Sequence, residues 1–174
     1  MMEKINIHLR INDKTISDQV APDLTLADFL HEKIGLTGTK VSCGIGVCKA
    51  CTVAIRQPGQ SNLERLQACV MPVAALNGCD VMTVEGLASS GALSLQQRAF
   101  LKHFSFQCGY CAPGFLMGVT LLLDQLKRTP VKKENLDKVI EENLGEHICR
   151  CTGYAKYYQA IRAVISETPG LLVV

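Results

Sequence analysis

Eight of the nine cysteines fall into two sets of four, and no other feature limits the possible structures of this chain as strongly. The first set has the pattern C-x4-C-x2-C, with a fourth cysteine after seventeen further residues. The second set has C-x2-C and, much later, C-x-C. In a compartment that keeps thiols reduced, clustered cysteines bind metal or carry out redox chemistry more often than they form disulfides. The sequence therefore predicts two sulfur-ligated sites.

The spacing of the first set is that of plant-type [2Fe-2S] sites. Its members are Cys43, Cys48, Cys51 and Cys69. Three of them share one short loop, from which several backbone N–H groups can point at anionic sulfur, and Gly44 and Gly46 permit that close approach. A structural zinc site of four cysteines is the alternative, although its paired short spacings differ from this three-plus-one arrangement.

The second set is less specific when it is taken alone. Its members are Cys108, Cys111, Cys149 and Cys151. Each pair is predicted to lie just before a helix, where unpaired N–H groups and the helix dipole favour thiolates. Zinc, a redox dithiol and an iron-sulfur cluster all fit this pattern, and the first set favours the cluster. Disulfides fit poorly, because C-x-C members are badly spaced for a bridge, and the scattered histidines disfavour Rieske ligation.

The first half of the chain predicts a small, sheet-dominated unit. Alternating apolar and polar residues predict a hairpin of two strands, residues 4–11 and 15–20. Thr25 or Asp23 can cap a short helix that Gly35 ends. Further strands are predicted at residues 52–56 and 80–84.

The second half predicts a small helical bundle. A Gly- and Ser-rich segment, residues 85–92, is the predicted linker, and the apolar period then becomes helical. Ser94 with Gln97 matches a capping box, and Pro113 suits the first turn of a second helix. We expect four helices, which begin near residues 95, 113, 136 and 157 and end near residues 104, 129, 144 and 166.

Composition and charge set several partner classes aside. The net charge of +2 is small, and no Lys/Arg cluster is interleaved with aromatic residues, so we expect no nucleic-acid partner. The longest mostly apolar run, residues 115–123, is about half of the roughly 20 residues that span a bilayer, so we expect no direct membrane insertion. The N-terminal residues do not form a secretory signal. The cytoplasm is the expected compartment, with the periplasm as the alternative if a partner exports the folded complex.

Three motifs together resemble the iron-sulfur part of the xanthine oxidase family of molybdenum hydroxylases. They are CGIGVCKACTV from Cys43, QCGYCAPG from Gln107 and CRCTGY from Cys149. The resemblance implies an α+β fold, with an N-terminal β-grasp, plant-type ferredoxin-like domain over residues 1–85 and an all-α four-helix-bundle domain over residues 92–174. It also implies two [2Fe-2S] clusters, one held by each set of cysteines.

The resemblance further implies an order of electron transfer. The second set would lie nearer a molybdopterin cofactor and accept electrons first, and the first set would pass them on. Gln107 would form a hydrogen bond with the pterin, and Cys151 would lie closest to the amino group of the pterin. The alternative role for Gln107 is a structural one, in which its side chain forms hydrogen bonds with backbone groups at a helix end.

The implied function is that of an electron-transfer subunit of a multi-subunit molybdenum hydroxylase or dehydrogenase that oxidises an aldehyde or an N-heterocycle. Its implied partners are a molybdopterin-binding large subunit and either an FAD-binding medium subunit or a cytochrome c acceptor. No substrate chemistry is expected on this chain. The alternatives are a free-standing two-cluster ferredoxin shuttle and a zinc-stabilised interaction module.

Three residues stand apart from the family pattern. Lys49 occupies a position where glycine is frequent, and we expect it to be solvated. His147 occupies a position where asparagine is frequent, and we expect a surface or interface residue. Cys79 belongs to neither set and is expected to be a small buried apolar residue.

Overall fold

The computed structural model describes residues 3–88 and 91–173, which divide into a sheet-rich first half and a helical second half. In chain order the elements are β1 (Ile5–Ile11), β2 (Lys14–Val20), α1 (Leu26–Asp28), β3 (Thr52–Arg56), β4 (Glu64–Gln67), β5 (Asp80–Met82), α2 (Leu95–Lys102), α3 (Ala112–Arg128), β6 (Val131–Lys132), α4 (Leu136–Leu144), α5 (Ala155–Glu167) and β7 (Leu172–Val173). The predicted α+β class is confirmed.

A five-stranded mixed sheet in the order β2-β1-β5-β3-β4 organises the first half. β1 lies antiparallel to β2 and parallel to β5, while β3 lies antiparallel to both β5 and β4. Ile7, Leu9 and Ile11 alternate with exposed residues along β1 and enter the core of this half. Each such buried side chain stabilises the fold by roughly 1.5–3 kcal/mol. Asn12 and Asp13 have φ values of 47° and 66°, as a tight hairpin turn requires.

The short helix after β2 begins where the sequence predicts it. The Thr25 hydroxyl accepts a hydrogen bond from the Asp28 N–H at 3.1 Å and caps α1. A π-helical turn, Phe29–Ile34, extends α1, and Gly35 ends it with a φ of 77°. Of the two predicted caps, Thr25 is therefore the correct one.

The structure corrects one predicted strand and adds a strand that was not predicted. β5 ends at Met82, because Val84–Leu87 forms a 3-10 turn instead of continuing the strand. β4 was not predicted at all, and it pairs with β3 from Thr52 opposite Gln67 to Ile55 opposite Glu64. This pairing brings the end of β4, and with it the fourth cysteine of the first set, beside the start of β3.

The start of the predicted linker is attached to the first half. Glu85 accepts a hydrogen bond from the Gly38 N–H at 2.7 Å and a second one from the Thr83 hydroxyl. Residues 89 and 90, at the centre of the predicted linker, lie outside the described residues. The division into domains at residues 1–85 and 92–174 stays a prediction.

Four helices, α2 to α5, pack around a second core. The predicted capping box is present at α2, where the Ser94 hydroxyl accepts from the Gln97 N–H and the Gln97 side chain accepts from the Ser94 N–H. α5 begins at Ala155, two residues before the predicted start. The short strands β6 and β7 pair in parallel and were not predicted.

The long helix α3 also contacts the sheet. Its residues Met117 and Leu121 are buried against Ala54 of β3 in a third apolar cluster. The two halves are therefore packed together at α3. None of the helices within the described residues is long and apolar enough to cross a bilayer.

Candidate metal centres

The loop that carries three cysteines of the first set folds tightly, as its glycines predict. Gly44 and Gly46 have φ values of 68° and 75°, which other residues rarely adopt. The Cys43 sulfur accepts a hydrogen bond from the Cys48 N–H at 3.5 Å. The backbone N–H groups of Cys48 and Ile45 lower the pKa of Cys43 to about 6. This loop therefore favours a thiolate at Cys43 even without a bound metal.

β3 and β4 bring the fourth cysteine of this set to the loop. Cys51 directly precedes β3, and Cys69 is the second residue after the end of β4. Because the two strands run antiparallel, the start of β3 lies beside the end of β4, and the Ala68 N–H donates to the Cys51 carbonyl at 3.1 Å. The Cys51 and Cys69 sulfurs are 3.3 Å apart. The fold thus brings into contact two cysteines that have seventeen residues between them in the sequence.

The second set lies at the start of two helices, as predicted. Cys108 and Cys111 precede α3, and Cys149 and Cys151 precede α5. All four line a cavity of about 160 Å³, whose wall also includes Cys48 of the first set. Within this cavity the Cys108 and Cys151 sulfurs are 3.5 Å apart. The fold thus brings together the two cysteine pairs of this set, although Cys149 comes 38 positions after Cys111 in the sequence.

Two hydroxyl groups contact sulfurs of the second set. The Tyr157 hydroxyl is 3.3 Å from the Cys111 sulfur, and the Thr152 hydroxyl is 3.1 Å from the Cys149 sulfur. Burial raises the pKa of the Cys111 thiol to about 11. Ionisation at Cys111 therefore has to come from metal binding, which deprotonates its thiol ligands.

The sulfurs in both sets approach one another in pairs. The close pairs are Cys43 with Cys48, Cys51 with Cys69, Cys108 with Cys151, and Cys111 with Cys149. The sulfur separations of 3.3 Å for Cys51 and Cys69 and 3.5 Å for Cys108 and Cys151 exceed the roughly 2.05 Å of a disulfide. Within residues 3–88 and 91–173, no three His, Cys, Asp or Glu side chains are arranged to hold one metal ion. Two pairs per set suit a binuclear [2Fe-2S] cluster, whose four cysteines are divided between two irons.

The two sites are joined by short contacts. The Ile148 N–H donates a hydrogen bond to the Cys48 carbonyl at 3.1 Å, which links a neighbour of Cys149 to a member of the first set. The Tyr110 hydroxyl donates to the Val41 carbonyl at 2.6 Å. These bonds hold the second set directly against the loop of the first.

Lys49 does not behave as the sequence predicts. Its side chain is only 17% exposed, and its ammonium group lies 3.3 Å from the Gly46 carbonyl and 3.2 Å from the Glu146 carboxylate. The expectation of a solvated lysine is therefore wrong. Lys49 also has a φ of 61°, a conformation that suits the glycine frequent at this position of the family. The ion pair joins the loop of the first set to the segment that precedes Cys149.

His147 is buried within the helical half, which corrects the expectation of a surface or interface residue. Its side chain is 2% exposed, and its Nε2–H donates to the Gly114 carbonyl at 3.0 Å. Burial, together with the charge of Arg65, lowers its pKa to about 4, so the imidazole is neutral near pH 7. Cys79 is buried in the first core, as expected, with 7% of its surface exposed.

Gln107 and Cys151 lie at the surface beside Cys108. In the part of the chain that the structure describes, the Gln107 side chain has no hydrogen-bond partner, so it does not satisfy a helix end. Tyr157 and Thr152 were not predicted as contacts of the second set. Thr152 lies within the CRCTGY motif and could have been proposed, whereas Tyr157 looks like any apolar residue of α5.

Comparison with known proteins identifies the family. The 2Fe-2S iron-sulfur cluster binding domain matches residues 9–74, and the [2Fe-2S] binding domain matches residues 83–162. The small FeS subunit of nicotinate dehydrogenase from Eubacterium barkeri is 35% identical, over 95% of this chain and 98% of that protein. The chain belongs to the iron-sulfur subunits of the xanthine oxidase family of molybdenum hydroxylases. Its function is that of an electron-transfer subunit in a complex of this family.

Two further relatives of the family agree over most of their length. Subunit gamma of caffeine dehydrogenase from Pseudomonas sp. (strain CBB1) is 37% identical, over 93% of this chain and 92% of that protein. The structure of quinoline 2-oxidoreductase from Pseudomonas putida 86 matches with a TM-score of 0.78 and 34% identity, over 91% of each chain. The fold and both [2Fe-2S] domains are therefore those of the family.

Proposed function

We propose that this chain carries electrons, one at a time, from a molybdenum centre on a partner polypeptide to an FAD-binding subunit or a cytochrome c. The observation that carries the proposal is the pair of four-sulfur sites joined by the hydrogen bond from Ile148 to Cys48. This contact supports fast electron exchange, because electrons cross short bonded paths through protein more readily than gaps. No substrate chemistry takes place on this chain.

The ligands in this proposal are the eight cysteines of the two sets. The first [2Fe-2S] cluster is held by Cys43, Cys48, Cys51 and Cys69, and the second by Cys108, Cys111, Cys149 and Cys151. Each cluster supplies one-electron redox chemistry when it is bound. The chain contributes the thiolates, the N–H and O–H donors around them and the burial that keeps water away. One cluster lies in each of the domains proposed at residues 1–85 and 92–174.

The second set faces the molybdopterin in this proposal. Cys108 and Cys151 are exposed, whereas Cys149 is buried, so the set has one open side. Gln107 lies next to Cys108 on that side, and its amide has no hydrogen-bond partner among the described residues, which supports a hydrogen bond to the pterin. Cys151 is the sulfur we propose to lie closest to the pterin amino group.

An apolar surface beside the second set supports this docking. We name it the inner rim, and it comprises the exposed side chains of Phe104, Phe106, Tyr110 and Ile148. Phe104 is 84% exposed and has a φ of 50°, an unfavourable conformation for a phenylalanine. Large exposed aromatic side chains are typical of interface anchors. We propose the molybdopterin-binding large subunit as the protein that covers the inner rim.

A smaller apolar surface lies beside the first set. It comprises the exposed side chains of Ile45, Val47 and Val70, and we name it the outer rim. Val70 lies against the ligand loop, about 3.4 Å from the point that a Cβ on Gly46 would occupy. We propose that the FAD-binding subunit or the cytochrome c docks at the outer rim.

The names of the relatives support a proposal for the substrate class. They are named for nicotinate, caffeine and quinoline, all of which are N-heterocycles. We propose that the complex oxidises an N-heterocycle or an aldehyde on its large subunit. The cytoplasm is the proposed compartment, because reducing conditions keep all nine cysteines available as thiols.

The ligand assignment is tested by anaerobic purification of the chain with its partners. We expect about four irons and four sulfides per chain, molybdenum that co-elutes in size exclusion, and two distinct [2Fe-2S] signals in electron paramagnetic resonance (EPR) after reduction. Cys69→Ser should remove one signal and Cys151→Ser the other, whereas Cys79→Ala should keep both. A colourless protein loaded with zinc would refute the proposal. Elution without any molybdenum-containing chain would favour the free-standing ferredoxin shuttle.

A further inference from the structure

The Tyr157 hydroxyl occupies a position that the electron-transfer function alone does not explain. Tyr157 is the third residue of α5 and is fully buried, with 0% of its surface exposed. Its oxygen lies 3.3 Å from the Cys111 sulfur, and no other hydrogen bond of this hydroxyl exists within the described residues. A buried hydroxyl needs a partner, since an unsatisfied one is unfavourable. The Cys111 sulfur is that partner.

The ring of Tyr157 is fixed by two aromatic neighbours. Phe115 stacks on it with a centroid separation of 4.2 Å and an interplanar angle of 11°. Phe100 contacts it at 5.2 Å and 67°, an edge-to-face arrangement. Such packing leaves the hydroxyl little freedom to turn away from Cys111. The contact is therefore built into the helical core.

We propose that Tyr157 raises the reduction potential of the cluster held by the second set, by donating its O–H to the Cys111 thiolate. This inference rests on the proposed function. A ligand thiolate carries no proton, so the hydroxyl is the donor and the sulfur the acceptor. One-electron reduction, by the molybdenum centre in the complex, adds negative charge that spreads onto the ligand sulfurs. The hydrogen bond is stronger to the more negative sulfur, and it therefore stabilises the reduced cluster more than the oxidised one.

The first set lacks a comparable contact. Among the described residues, no side-chain hydroxyl forms a hydrogen bond with the sulfur of Cys43, Cys48, Cys51 or Cys69, and Cys43 is served by backbone N–H groups instead. Tyr157 should therefore act on one cluster only. A higher potential at the second set helps to draw electrons away from the molybdenum centre. Tyr157 is a positioning and tuning residue for this step, not a catalytic one.

The variant Tyr157→Phe tests the inference, because it removes the hydroxyl and keeps the ring. Tyr158→Phe is the matched control, since Tyr158 is the next residue of the same helix and donates its hydroxyl to Glu141 at 2.6 Å. Both midpoint potentials are measured in the complete complex by EPR-monitored titration with dithionite. We expect Tyr157→Phe to lower the midpoint potential of the second set. The equilibrium ratio of reduced first cluster to reduced second cluster should then rise about three- to tenfold, where tenfold equals about 59 mV for one electron.

The outcomes separate this inference from the function on which it rests. If the wild-type complex lacks two [2Fe-2S] signals, the proposed function fails. If both signals are present and Tyr157→Phe leaves both potentials as in Tyr158→Phe, the function stands and the inference is overturned. A shift at the first set, or an equal shift at both sets, also overturns it.

A second variant keeps the test decisive if Tyr157→Phe does not retain its iron. A 3-fluorotyrosine placed at position 157 by amber suppression keeps the ring and makes the hydroxyl a stronger donor. We expect it to raise the potential of the second set and to leave the first set unchanged. An unchanged or lowered potential at the second set would overturn the inference.

Discussion

Gly114→Ala should loosen the contact between α3 and the ligand loop of the first set. Gly114 lies in the first turn of α3, directly against that loop. A Cβ at this position would lie 2.4 Å from the Lys49 carbonyl oxygen and 3.0 Å from the Ala50 Cα, both of them backbone atoms. Side chains can move away from an added methyl group, but a loop that the three proposed metal ligands hold in place cannot do so easily. The helix and the loop must therefore separate.

The expected loss follows from two opposing effects. The carbonyl contact must open by roughly 0.6 Å to reach 3.0 Å, and such overpacking destabilises a core by about 1–3 kcal/mol. Alanine is favoured over glycine inside a helix by at most about 1 kcal/mol. We expect a net loss of about 1–2 kcal/mol, which lowers the Tm by roughly 2–8 °C in a chain of this size.

The assay is thermal unfolding of the anaerobic complex, followed by the visible absorption of the clusters. The spin coupling between the two reduced clusters should also weaken in Gly114→Ala. Gly118→Ala is the comparison, because a Cβ there would meet the side chains of Leu144 and His147 rather than backbone. We expect it to keep the coupling. A Tm that rises in Gly114→Ala, as for an ordinary helical position, would refute the reasoning.

Three further perturbations have distinct expected results. Phe104→Gly should weaken binding of the molybdenum-containing subunit by about tenfold or more, as measured by titration calorimetry, whereas Ile5→Ser, on the sheet, should not. Lys49→Met should lower the potential of the first set in EPR titration, because a cation next to its loop is lost; an unchanged potential would contradict this. Ser94→Ala should lower the free energy of unfolding by about 1 kcal/mol in chemical denaturation and leave both clusters in place. Loss of iron would contradict the expectation that this cap stabilises α2 alone.

The cysteine spacing predicted which cysteines lie on one loop or before one helix, because those arrangements are local in the sequence. Cys43, Cys48 and Cys51 lie on one short segment whose glycines already imply a tight fold. The two pairs of the second set each precede a helix that the apolar period reveals. Local sequence thus carried most of the information about these loops. The assignment of the eight cysteines as metal ligands stays a prediction.

The approach of Cys69 could not be predicted in the same way. It depends on β4, where only Leu66 of the four residues is buried, so no alternation of apolar and polar residues reveals a strand. β4 exists because its backbone pairs with β3, and this pairing is a tertiary effect. Lys49 escaped prediction for the same reason, since Glu146 lies far from it in the sequence.

The interface between the halves did leave a signal in the sequence, at the glycines of α3. Gly114 and Gly118 are four residues apart and so lie on one face of the helix. Glycine weakens a helix interior, and its presence there usually has a packing reason. The first glycine admits the backbone of the ligand loop and the second admits His147, whose ring in turn holds the Gly114 carbonyl. The close approach that connects the two cluster sites therefore depends on the missing side chain of Gly114, while Gly118 leaves room for the His147 ring that holds the Gly114 carbonyl.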